Sequence, residues 1–108
     1  MKTGDIILIP FPHAEHTHVK VRPAVFITTT KDKFSDVVAS AISSVIPKSI
    51  SENEIIIEPN RSNKLRVKSV IKVDRIVTLK KQDKIADLGN LTETELKIFK
   101  RKFCALVA

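Results

Sequence analysis

Tryptophan and tyrosine are absent, glycine occurs twice and cysteine once in 108 residues. A single thiol, Cys104, cannot close an intramolecular disulfide, so the fold cannot depend on a disulfide framework. The N-terminal MKTGDIILIPF has neither the long apolar stretch nor the small-residue cleavage site of a signal peptide, which makes the cytoplasm the expected compartment. Apolar runs are broken by Pro10, Pro12, Lys31 or Pro47 and none approaches the roughly 20 residues that span a bilayer, so no membrane role is expected. With only Gly4 and Gly89, the chain lacks the repeated Asn-Gly or Asp-Gly turns of a simple meander. Longer connecting loops are expected, and function should sit on them.

Acidic residues are also in short supply. Lys and Arg outnumber Asp and Glu by 19 to 12, and the isoelectric point near 9.8 describes a surface that attracts polyanions, either nucleic acid or an acidic protein segment. The length suits one compact core, so residues 1–108 are read as a single domain, and any larger site must come from association with another chain.

What is present points to a mainly β fold. Ile6 to Phe11, Ala24 to Thr29, Val37 to Val45, Glu54 to Glu58, Ser69 to Val73 and Ile76 to Leu79 are short, rich in β-branched residues and separated by polar or proline-bearing segments. Six such strands suggest a barrel or sandwich. The C-terminal segment differs: Thr92 followed by Glu95 is a capping-box signature, and Leu96, Phe99, Phe103 and Leu106 recur at helical spacing. An amphipathic helix with Lys97, Lys100, Arg101 and Lys102 on its outer surface is expected there.

Among residues that could carry chemistry, Arg22 stands out because Pro23 biases it toward an extended backbone and its guanidinium is a rigid fork matched to phosphate oxygens. From spacing alone, an exposed strand-end arginine in a basic chain is the plainer explanation. Ser40, Ser43 and Ser44 lie in VVASAISSVIP, where alternation sets Ser43 on the face opposite Ser40 and Ser44. No G-x-S-x-G elbow surrounds them, which argues against a hydrolase nucleophile. His13, His16 and His18, with Lys20, form a polar loop suited to acid–base work. Glu15 could join the histidines, but no Cys or carboxylate arrangement completes a metal set, so no metal and no cofactor is expected.

Nine Lys or Arg residues lie between Arg61 and Lys84, among them Lys64, Arg66, Lys68 and Arg75, against Asp74 and Asp83. Such a belt is either a solvated strand face or a set of phosphate contacts that give affinity without sequence information. Phe11 and Phe34 flank loops and are the candidates to stack on bases, whereas Phe99 and Phe103 belong to the helix core.

GDIILIPFP, VKVRPAVFIT, VASAISSVIP and VKSVIKVDRIVTLKK, in this order and followed by a capped helix, resemble the MazF/PemK-like toxins of type II toxin–antitoxin systems. The resemblance runs over nearly the whole chain. It implies an SH3-like barrel of about six short strands with added helices, assembled as a homodimer. It further implies metal-independent cleavage of single-stranded RNA, leaving 2′,3′-cyclic phosphate and 5′-hydroxyl ends. The partner it implies is a cognate antitoxin that lays an acidic, partly disordered segment over the RNA groove.

By position, Arg22 matches the family's catalytic arginine and Ser43 its catalytic threonine, with Phe11, Ser44, Lys64, Arg66, Lys68 and Arg75 available for RNA binding. Two departures are evident: serine replaces threonine, losing the methyl that restrains the rotamer, and the loop from His13 to Lys20, which the resemblance implies helps to select bases, lacks the glycines common in the family. Two other classes stay open, namely a member that binds RNA or an antitoxin without cutting, and a toxin that poisons a topoisomerase through protein contacts made by the terminal helix.

Overall fold

The computed structural model describes residues 1–12 and 19–108. Six strands, β1 (Asp5–Pro12), β2 (Val19–Thr29), β3 (Val37–Ser43), β4 (Glu54–Ile57), β5 (Ser69–Leu79) and β6 (Ala86–Asn90), precede one helix, α1 (Glu93–Ala105). They form a single curled sheet in the order β4-β5-β3-β2-β1-β6, with antiparallel pairing throughout. The result is a half-barrel closed by the helix.

β1 and β2 read as near-continuous apolar runs because both of their faces are covered. Ile6, Val25 and Ile27 point into the main core with Ile42, Ile57, Ile71, Val73 and Phe99. Ile7, Ile9, Ala24 and Phe26 turn the other way, into a second core with Val37 and Ala39. β5 serves both: Ile71 and Val73 enter the first, while Val77 and Leu79 pack on the second.

That double duty requires a bend, and it corrects the strand boundaries expected from sequence. Between the pairs Ser40↔Ile76 and Ile42↔Ile71, two steps along β3 correspond to five along β5. The extra residues bulge out around Asp74 and Arg75, so the expected strands Ser69 to Val73 and Ile76 to Leu79 are one bent strand. The buried Ser40 hydroxyl donates to the Val73 carbonyl at 2.9 Å, satisfying a group inside the bulge. The sixth strand is instead Ala86–Asn90, whose Asp, Gly and Asn give little strand signal. β2 starts at Val19 and β3 stops at Ser43, short of Val45.

Gly89 is required by a close approach. A Cβ there would collide with the Ser62 carbonyl oxygen and the Asn63 backbone, where the 58–68 loop crosses toward the β6 edge and Ser62 accepts a hydrogen bond from Asn90 N at 2.8 Å. α1 begins as expected: Thr92 Oγ1 accepts from Glu95 N at 3.2 Å, and Glu95 Oε1 accepts from Thr92 N at 2.8 Å. Phe99 is 1% exposed, with Leu96, Phe103 and Leu106 packed beside the main core. Burying Phe99 contributes about 2–3 kcal/mol. No helix among the described residues is long and apolar enough to cross a membrane.

Candidate functional site

Arg22 sits near the start of β2, directly across from Ile9 of β1, and Lys20 is across from Phe11. Alternation puts Arg22 on the face of Ala24 and Phe26, where the Phe11 ring also packs. The guanidinium carbon lies 5.7 Å from the Phe11 ring centroid, a cation–π arrangement worth about 0.5–1 kcal/mol at a half-exposed site. Among the described residues, no carboxylate pairs with Arg22. A phosphate would meet a forked donor already oriented by an aromatic ring.

Beside Arg22 opens a cleft of about 570 Å³. Its floor is apolar, made by Leu8, Pro23, Ile42, Leu65 and Leu88, and four cations line it: Lys20, Arg22, Lys64 and Arg66. Among the described residues no Asp or Glu does so. Three valines at the cleft, Val21, Val45 and Val67, are 54%, 73% and 54% exposed. An anion with flat apolar groups, such as a nucleotide chain or an acidic apolar peptide, complements this combination of charge and surface.

The three serines separate. Ser40 is buried and spent on Val73. Ser44 is exposed and lines the cleft. Ser43 is half-buried, and its Oγ accepts from Val45 N at 3.1 Å. The β2–β3 register ends at Ala24↔Ala41; carried two residues further along each strand, it sets Arg22 opposite Ser43. Both then share the second-core face at one end of the sheet, whereas the cleft floor at Leu8, Pro23 and Ile42 is on the main-core face, so Arg22 meets the cleft only at its rim and Ser43 does not line it.

Other expected residues disperse. Lys68 is 3.7 Å from Glu58, and Arg75 lies exposed at the β5 bend, outside the cleft lining. Phe34 is 63% exposed on the β2–β3 turn, at the far end of β2 from Arg22, with Lys33 over its ring. His13, His16 and His18 lie outside the described residues. Two carboxyls are held below their ordinary range: Asp32, by the Thr30 hydroxyl and then by backbone amides of Phe34 and Ser35, and Glu54, by the Ser51 amide and then Lys72. Neither lines the cleft.

Sequence reasoning missed the apolar floor and the buried Asn63. Leu8, Leu65 and Leu88 come from three distant segments, so no periodicity unites them. Asn63 sits in a polar, basic stretch where an asparagine carries no signal of burial.

Comparison with curated proteins finds no match. Among solved structures, the fold is similar to an endoribonuclease in complex with its cognate antitoxin from a mycobacterial species, with a TM-score of 0.72 at 14% identity, covering 97% of this chain and 92% of that one. It is similar as well to the Mycobacterium tuberculosis toxin MazF-mt6, with a TM-score of 0.66 at 15% identity, covering 94% and 93%. The family model described as PemK-like, MazF-like toxin of type II toxin-antitoxin system matches residues 2–107. With the match spanning nearly the whole chain, this protein belongs to the PemK-like, MazF-like toxins of type II toxin–antitoxin systems.

Proposed function

We propose that this toxin is a metal-independent endoribonuclease of single-stranded RNA. The ribose 2′-oxygen attacks the adjacent phosphorus while the bond from phosphorus to the 5′-oxygen breaks, leaving a 2′,3′-cyclic phosphate and a 5′-hydroxyl. The proton lost by the 2′-hydroxyl passes to a base, and the departing 5′-oxygen takes one up. Arg22 stabilises the charge that develops on the non-bridging oxygens, and Ser43 donates a further hydrogen bond to one of them. We assign proton transfer or base selection to the loop bearing His13, His16, His18 and Lys20, which adjoins Arg22 in sequence.

The observation that carries this reading is the placement of Arg22, with no described carboxylate partner, at the edge of a cleft lined by three further cations. Phe11 beside it offers a stacking surface for a base, and Lys64 and Arg66 lie where a strand backbone could follow. The same charge and apolar floor suit a cognate antitoxin with an acidic, partly disordered segment, so a bound antitoxin would exclude RNA. We also propose a homodimer: a chain of this size offers little groove length alone, and the exposed valines at the cleft suit a protein neighbour. A monomer at micromolar concentration contradicts that arrangement.

The test is to incubate purified protein with a long single-stranded RNA in excess EDTA and analyse the ends. Fragments ending in cyclic phosphate support the nuclease. Intact RNA that is nonetheless bound in a salt-sensitive way shows a binding module instead.

A further inference from the structure

Two of the four cleft cations, Lys64 and Arg66, sit on an irregular segment, residues 58–68, that no strand or helix holds. Lys64 adopts φ 56°, a left-handed conformation that costs a non-glycine residue about 1 kcal/mol or more. The turn at this residue sends Leu65 down into the main core, 9% exposed, and leaves Lys64 and Arg66 outside. Something must hold it there.

The holding groups are two asparagines. Asn63 is fully buried, and its amide is satisfied at both ends: Oδ1 accepts from Asn60 N at 3.1 Å and Leu65 N at 2.9 Å, while Nδ2 donates to the Glu58 carbonyl at 2.8 Å. Asn60 Oδ1 in turn accepts from Ser62 N at 3.0 Å and Asn63 N at 2.8 Å, and the Asn60 carbonyl accepts from Lys64 N at 3.1 Å. Asn60 Nδ2 reaches Glu95 Oε2 at 3.4 Å, on the carboxylate that caps α1. The loop is therefore tied to the helix start on one side and to β6, through Asn90 and Ser62, on the other.

We infer that Asn60 and Asn63 are positioning residues that hold Lys64 and Arg66 at the cleft for an RNA backbone. The inference rests on the reading of the cleft as an RNA site. Neither asparagine lines the cleft or reaches Arg22 and Ser43, which stand on β2 and β3, so their effect falls on binding and not on the chemical step. Loosening the loop lets both cations spread over many positions, and each cation must then be ordered against its phosphate at the moment of binding.

Asn60→Ala is the first variant, because Asn60 is exposed and Asn63→Ala risks the fold by removing the partner of three backbone groups, the buried Leu65 N among them. In Asn60→Ala, KM for a single-stranded RNA should rise about tenfold with kcat within about twofold, and the salt slope of binding should shrink by about 0.7 for each phosphate that is no longer neutralised. Asn60→Ser, which keeps an acceptor for the two loop amides, should recover most of the affinity. In a Lys64→Gln/Arg66→Gln background, Asn60→Ala should add little, since it acts through those side chains.

Full additivity in that background, or unchanged KM and salt slope in a folded Asn60→Ala protein, overturns the inference. Wild-type protein that neither cuts nor binds the RNA fails one step earlier, removing the cleft reading and the inference with it.

Discussion

Arg22 gains its candidacy from position and not from an unusual environment. It sits two residues before the buried Ala24, on the face where the Phe11 ring packs against its guanidinium, and at the rim of a cleft that opens on the opposite, main-core face and is lined by other cations. Ser43 is the matching hydroxyl by register, whereas Ser44 is the one that lines the cleft, so the two serines make opposite predictions. Ser43→Ala should lower kcat about 100-fold, the cost of losing a preorganised donor, and Ser44→Ala should affect KM more than kcat. Ser43→Thr should cleave at least as fast as wild type, because the added methyl restricts the rotamer. Single-turnover cleavage rates check all three, and a large kcat loss in Ser44→Ala alone moves the assignment to that residue. Gly89→Ala tests packing: its Cβ would collide with backbone of Ser62 and Asn63, a displacement expected to cost about 1–3 kcal/mol in denaturant unfolding.

The elements differ in how openly the sequence shows them. β1, β2 and β3 are legible because two cores demand β-branched residues on both of their faces, and α1 because Thr92 and Glu95 form the reciprocal cap that their spacing announces. Thr92→Ala should therefore destabilise the protein by about 1 kcal/mol, read from the shift of a denaturant midpoint. β5 misleads because Asp74 and Arg75 look like a loop, when the chain bends there to pass from one core to the other. β6 is hidden by Gly89, which is present for the loop that crosses it. Turn chemistry also fixes a pH response. Asp32 is held below its ordinary range by the Thr30 hydroxyl, and Glu54 by the Ser51 amide. A depressed folded-state value means that the stabilisation is complete above the unfolded carboxylate value of about 4 and is lost as pH falls through the folded one. Acid should loosen the 30–36 turn and the start of β4, seen as chemical-shift changes below about pH 4, and no such change should appear on the alkaline side.

At the scale of the molecule, a formal net charge of +7 favours a polyanion as partner. Four cations line one cleft without a described carboxylate among them, while Lys68, Lys72 and Lys84 are engaged with Glu58, Glu54 and Asp87. The basic stretch is visible in the sequence, but which of its members face a cleft and which are paired depends on tertiary structure. If all four cleft residues neutralise phosphates, the logarithm of RNA affinity should fall against the logarithm of salt with a slope of about −3. The most direct test of the nuclease reading compares wild type with Arg22→Ala on one long single-stranded RNA in excess EDTA, with equal melting temperatures as proof of fold. Wild type should release fragments ending in 2′,3′-cyclic phosphate, and the variant should cut at least about 100-fold more slowly; full-rate cleavage by Arg22→Ala, or no cleavage by wild type, contradicts the account.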